Sequence, residues 1–144
     1  MIILDTNVLS ELMRPAPSEA VLRWFAGHPA ATLFTTTITQ AEILFGLALL
    51  PEGRRRSDLV LAAEQMFAED FAGRVLPFDS MAAKAFAPIT AGRRQRGRPT
   101  GAFDAQIAAV AASRGAALAT RNVADFLDCG VSIINPWESL SLPS

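Results

Sequence analysis

The sequence predicts an α/β layer sandwich: one mostly parallel central sheet with helices on both faces. Three observations predict it. Short apolar or β-branched runs alternate along the chain with longer segments of helical periodicity. The first run, MIILD, is continuously apolar without in–out alternation, as suits a parallel strand covered on both sides. The 144 residues hold no repeat, no low-complexity tract and no linker, so they are read as one domain spanning 1–144.

Each element follows from local chemistry. Residues 1–5 form the first strand and end on a carboxylate, Asp5, followed by the polar pair Thr6 and Asn7. A helix is expected from about Ser18, with Val21, Leu22 and Phe25 on one stripe, closing near Gly27. TLFTT (32–36) is the second strand. Thr39-Gln-Ala-Glu42 fits a capping box that opens an apolar helix, ended by Pro51 and Gly53. A long amphipathic helix covers about 54–72, with Leu59, Ala63, Met66, Phe67 and Phe71 at helical spacing. RVLPF (74–78) is the third strand, and Asp79-Ser80 caps a helix that Pro88 is expected to kink or break. From Gly101 to Arg114 the helical pattern is apolar almost all round, which places it inside the protein; it ends at Gly115. ALAT (117–120) and VSII (131–134) complete the strands. Ligands of such sheets bind beyond the carboxyl ends of the strands.

Composition narrows the chemistry. No apolar run approaches the roughly 18 residues that cross a membrane, and the chain reads as cytoplasmic. A hydrophobic fraction of 51% implies that protein covers part of the surface, a homodimer or another partner. The sole lysine, Lys84 in Ala-Lys-Ala, rules out a phosphate-binding Gly-Lys-Ser/Thr loop. Asp-Thr-Asn-Val stands where a glycine-rich dinucleotide fingerprint would follow the first strand. With one histidine, His28, and one cysteine, Cys129, neither a zinc site nor two-histidine phosphodiester cleavage can be built. His28 reads as a helix-end partner and Cys129 as a packed side chain.

Carboxylates remain. Asp5 ends the first strand, Glu42 lies in the helix after the second, Asp104 in the first turn of the apolar helix, and Asn122 and Asp125 follow ALAT. Singly, each has a structural explanation as a cap or a turn residue. In a parallel sheet, however, all of them converge on one edge. Two carboxylates about 4 Å apart repel by roughly 4 kcal/mol at an effective dielectric near 20, so three or four call for protons or a divalent cation. Magnesium takes oxygen ligands together with substrate phosphates and activates water for in-line attack on a phosphodiester. The basic clusters Arg54-Arg55-Arg56 and Arg93-Arg94-Gln95-Arg96-Gly97-Arg98 are candidate contacts to flanking phosphates. The residues alone thus point to a metal-dependent phosphodiesterase.

The segments MIILDTNVLSEL, TTTITQAEILFGLALLPEGRRR, GRPTGAFDAQIAAVAASRGAALATRN and VADFLDCGVSIINPW, in this order, resemble PIN-domain ribonucleases. They look most like the VapC and FitB-type toxins of bacterial type II toxin–antitoxin pairs. The resemblance implies a Rossmann-like PIN fold, magnesium or manganese as cofactor, and endonucleolytic cleavage of RNA by a metal-bound water. Asp5, Glu42 and Asp104 match the family's catalytic acids. The metal set is Asp5, Glu42 and Asp104 with Asn122 and Asp125, and Thr6, Asn7 and Thr120 are the orienting residues. From their charge, Arg93, Arg94, Arg96 and Arg98 are the RNA-binding candidates, with stabilisation of a kinked helix and contact to the antitoxin as their other readings. One departure stands out: relatives often carry a fourth acid where this chain has Asn122, which offers a carbonyl oxygen and no charge. One firmly held ion, with a second recruited by substrate, is therefore expected. The resemblance also implies a homodimer and a cognate antitoxin that supplies the DNA binding of the pair.

Two alternatives come from other classes. A PIN domain without turnover would act as an RNA-binding or antitoxin-binding module, with Asn122 as its support. A phosphotransfer domain of receiver or haloacid-dehalogenase type would need a second acid or a nearby lysine, and Asn7 occupies the place of that acid.

Overall fold

The computed structural model describes residues 1–138. Five strands form one sheet: β1 (Ile2–Leu4), β2 (Leu33–Thr36), β3 (Val75–Leu76), β4 (Ala117–Ala119) and β5 (Ile133–Ile134). Every pairing is parallel and the order is β3-β2-β1-β4-β5. β1 is the central strand, with Ile3 opposite Phe34 on one side and Leu118 on the other. The order reverses direction at β1, between β2 and β4, and such a reversal opens a crevice at the carboxyl edge.

Among the described residues six helices cover both faces: α1 (Thr6–Leu12), α2 (Glu19–Ala26), α3 (Thr37–Ala48), α4 (Arg54–Gln65), α5 (Ser80–Gln95) and α6 (Ala102–Ser113). The two faces hold separate cores. Leu4 and Ala119 lie in one with Val8, Leu9, Val21, Leu33 and Phe67, while Ile3 and Leu118 lie in the other with Ile107, Val110 and Phe126. Adjacent residues of β1 thus serve opposite cores, which is why this strand has no polar face. Helix α6 is buried at Ala105 and from Ile107 through Ala111, as its apolar sequence requires. Gly115 ends it with φ 61°, a conformation that favours glycine.

The predicted elements are present with four differences. Residues 6–12 form α1, where the sequence pattern suggested only a polar corner; Asp5 is its N-cap and accepts from the Thr6 amide. Helix α3 begins at Thr37 with Thr36 as its cap, so Thr39 is already inside and Glu42 completes no capping box. The helix expected over 54–72 ends at Gln65 and continues as a π-helical turn, Met66–Asp70, in which the Phe71 amide reaches Met66 O at 3.0 Å. Helix α5 runs unbroken through Pro88, packed along α6. Among the described residues no helix is long and apolar enough to cross a membrane.

Candidate active site

Three strand ends and one helix start bring the polar residues together. Asp5 leaves β1 and is 3% exposed, with three donors around its carboxylate. The Thr6 amide donates to Oδ1 at 2.8 Å, while Thr120 Oγ1 at 2.8 Å and Asn7 Nδ2 at 3.2 Å donate to Oδ2. Thr120 closes β4; its hydroxyl also accepts from Asn7 Nδ2 and from the Asn122 amide, which exhausts its bonding capacity. Asn7 in turn accepts from the Arg121 amide at 3.2 Å. Asp5 and Thr120 thus lock the ends of two adjacent strands to each other.

Glu42 is held differently. Thr6 Oγ1 donates to Glu42 Oε1 at 2.8 Å, which uses the one hydroxyl hydrogen of Thr6, so the buried Thr39 hydroxyl, 3.0 Å away, donates to Thr6. Asp104 stands in the first turn of α6, and among the described residues no hydrogen bond restrains its carboxylate.

All three carboxyls are pushed toward the protonated form. Burial raises Asp5 above its ordinary value against the pull of its donors, and the Glu42 and Asp125 charges add to the rise. Burial also raises Glu42, helped by the Asp104 charge. Asp104 rises to about 6, through burial first and then the charges of Asp5 and Asp125. These acids feel one another without a countercharge between them.

They line a cleft of about 510 Å³ with Thr6, Asn7, Ser10, Glu11, Arg14, Arg121, Asn122 and Trp137. Asp125 is exposed on the 3-10 turn Val123–Phe126 behind it, near enough to act through its charge alone. A groove of about 340 Å³ shares Thr6, Ser10, Arg14 and Glu42 with the cleft and carries Arg55 onward. Glu11 is held below the ordinary carboxylate range by the Ser18 amide at 2.8 Å, and Arg14 Nη1 pairs with it at 3.2 Å.

The RNA assignment of Arg93 needs correction. Arg93 is 4% exposed, and its guanidinium donates to Thr100 Oγ1 at 2.8 Å and to Leu127 O at 2.6 Å. It ties the end of α5 to the approach of α6 and to the loop after Asp125, and its burial keeps it from serving as an open phosphate contact. Arg94 lines a separate groove with Phe86 and Thr90, and neither Arg96 nor Arg98 is among the cleft residues. Arg14, Arg121 and Trp137 were not singled out by sequence reasoning. Arg121 lies one residue past Thr120 and was readable as a strand-end cation. Arg14 follows a helix that the pattern did not reveal.

The donor set fits a hard divalent cation, since every candidate ligand is oxygen. Among the described residues no group of three or more histidine, cysteine, aspartate or glutamate side chains stands placed to hold a metal ion. Magnesium keeps several waters and takes one or two carboxylates directly, so it does not need all three acids at once.

The PIN domain model matches residues 2–128 of the chain. The VapC ribonuclease Y4jK of Sinorhizobium fredii is 44% identical over 138 residues, covering 96% of this chain and 99% of that protein. Toxin FitB of Neisseria gonorrhoeae is 39% identical over 137 residues, covering 95% and 99%. A solved structure of FitAB bound to a DNA fragment superposes with a TM-score of 0.89 at 39% identity, over 95% of this chain and 96% of that one. With its parallel sheet, its carboxyl-edge acids and these likenesses along its whole length, the chain belongs to the PIN-domain family, among proteins of the VapC and FitB type.

Proposed function

We propose that the chain is the toxin of a toxin–antitoxin pair and acts as a magnesium- or manganese-dependent endoribonuclease. The convergence of Asp5, Glu42 and Asp104, each with a raised pKa, on one cleft carries this reading. Asp5, Glu42 and Asp104 would hold the ion, with Asn122 beside them in the cleft and Asp125 acting from outside it through its charge. When bound, a divalent ion there lowers the pKa of water and neutralises charge developing on a phosphodiester. The chain's own residues do the rest. Thr6, Asn7 and Thr120 fix the rotamers of Asp5 and Glu42, so that ordering them costs little at the moment of reaction. Asp104 carries no side-chain hydrogen bond among the described residues and is raised to about 6 by burial and by the charges of Asp5 and Asp125, a crowding that a bound ion would relieve. Arg14 and Arg121 flank the acids and offer the positive charge that an RNA backbone requires.

The partner is a cognate antitoxin, and DNA is reached through it; FitAB on a DNA fragment supports this arrangement. A homodimer accounts for exposed apolar side chains such as Phe45 and Leu49.

Cleavage of a mixed cellular RNA pool by the purified, antitoxin-free chain tests the proposal, with magnesium, with chelator and with Asp5→Asn. Discrete products that need both the ion and Asp5 are expected. RNA bound but uncut by folded protein in every condition would replace the nuclease with the binding module.

A further inference from the structure

We propose that Arg93 is a positioning residue of the acidic site: one buried guanidinium holds the segment that carries Asp104 and the segment that carries Asp125 in fixed register with each other. The inference rests on the metal reading above and adds to it a residue that touches neither ion nor substrate.

Neither segment anchors its own start. Gly101 caps α6 without a side-chain hydrogen bond, and Asn122 caps the 3-10 turn Val123–Phe126 without one. With no hydrogen bond on its carboxylate, Asp104 stands wherever the first turn of α6 puts it. Arg93 supplies both anchors from the last turn of α5. Its Nε donates to Thr100 Oγ1 at 2.8 Å, one residue before the Gly101 cap. Its Nη1 donates to Leu127 O at 2.6 Å and to Ala124 O at 3.4 Å, on either side of Asp125.

The buried charge argues for this use. Arg93 is withdrawn from water, yet no ion pair among the described residues includes it. A buried cation without a carboxylate costs more than an apolar side chain of similar volume, so packing alone does not call for one. What a guanidinium adds is a rigid planar fork that reaches two partners at a fixed angle, which neither an apolar chain nor a lysine does. Asp104 and Asp125 are a pair for which that angle matters. The Asp125 charge is felt at Asp104, and side chains around a small ion tolerate displacement of only about 0.5 Å.

Thr100→Val, Thr100→Ser and Arg93→Lys test the proposal, with magnesium alone titrated by calorimetry and melting followed with and without the ion. Thr100→Val keeps its bulk and loses the acceptor; it should weaken magnesium binding about tenfold and shrink the magnesium-induced rise in Tm, and Thr100→Ser should restore both. A strut that serves only the fold would lower Tm equally with and without the ion and leave magnesium affinity unchanged, and that result overturns the proposal. Amide exchange reads the two anchors without any metal, at the Ala105 amide, bonded to Gly101 O, and at the Asp125 amide, bonded to Asn122 O. Thr100→Val should speed exchange at Ala105 alone, and Arg93→Lys at both together. Exchange unmoved at both sites overturns the anchor. If Arg93→Lys does not fold, the two Thr100 variants decide. A wild-type chain that neither binds magnesium nor cuts RNA would sink the metal reading, and the exchange pattern would then decide the anchor by itself.

Discussion

Thr6 serves two acids with one backbone amide and one hydroxyl. The amide holds Asp5 and the hydroxyl holds Glu42, so a single residue at the start of α1 sets the spacing of two candidate ligands. Thr6→Val keeps the amide and loses the hydroxyl; activity and magnesium affinity are expected to fall about 10- to 100-fold, with Thr6→Ser close to wild type. Titration of magnesium against initial cleavage rate checks it. Asp104 adds a pH dependence. Its folded value of about 6 lies above the ordinary 3.8, so the stability it contributes is complete below 3.8 and lost as pH rises through 6. Asp5 and Glu42 act in the same direction, whereas the lowered Glu11 acts in the opposite one. The metal-free protein should therefore gain thermal stability between about pH 7.5 and about pH 5, and Asp104→Asn should flatten that gain. At neutral pH the same variant should be more stable by about 1 kcal/mol, after allowance for solvent screening, and should respond less to added magnesium. A melting series with and without the ion reads both. The acids were readable because strand ends are readable: an Asp after a short apolar run has few other places to go. Trp137 was not, because its partner Arg121 lies sixteen residues earlier and only folding stacks them.

Local signals named most elements but misplaced the starts of two. Asp5 is both a ligand candidate and the cap of α1, and a polar triplet whose last two residues open a helix looks the same whether it turns or caps. In TTTITQ any of four threonines can cap a helix; Thr36 wins because β2 delivers it in extended backbone, and its hydroxyl takes the Thr39 amide at 3.1 Å. That shift of one turn frees Glu42 from helix capping and leaves it to Thr6. Helix α5 tolerates Pro88 because packing along α6 outweighs one lost backbone bond. The end of α5 depends on Arg93. Arg93→Ala should cost about 3 kcal/mol, since it strands buried acceptors, and Arg93→Lys should not rescue it because a point charge cannot span both partners. Alanine at the nearby exposed Arg96 or Arg98 should change stability by less than about 0.5 kcal/mol. Denaturant unfolding of the four variants compares them.

Across the molecule, the composition's demand for a covering partner has a visible counterpart. Phe45 near the end of α3 and Leu49, its C-cap one turn on, are 65% and 69% exposed. With this face as the homodimer contact, Phe45→Glu with Leu49→Glu should halve the solution mass by light scattering while leaving the thermal melt of the chain cooperative; an unchanged mass would rule this face out. Parallel pairing was readable from continuous apolar strands separated by helices, whereas strand order was not, because nothing in a strand's own residues says which neighbour it will take.

That order has a consequence in time. The central strand, β1, is made first, and the hydroxyl that locks Asp5 arrives with Thr120, 115 residues later. A nascent chain shorter than about 120 residues holds its acids on separate, unclosed pieces and has no assembled cleft. The proposed nuclease thus gains its cleft only when β4 is made, and ribosome-bound chains stalled before β4 should leave RNA intact where released chains carrying β4 cut it.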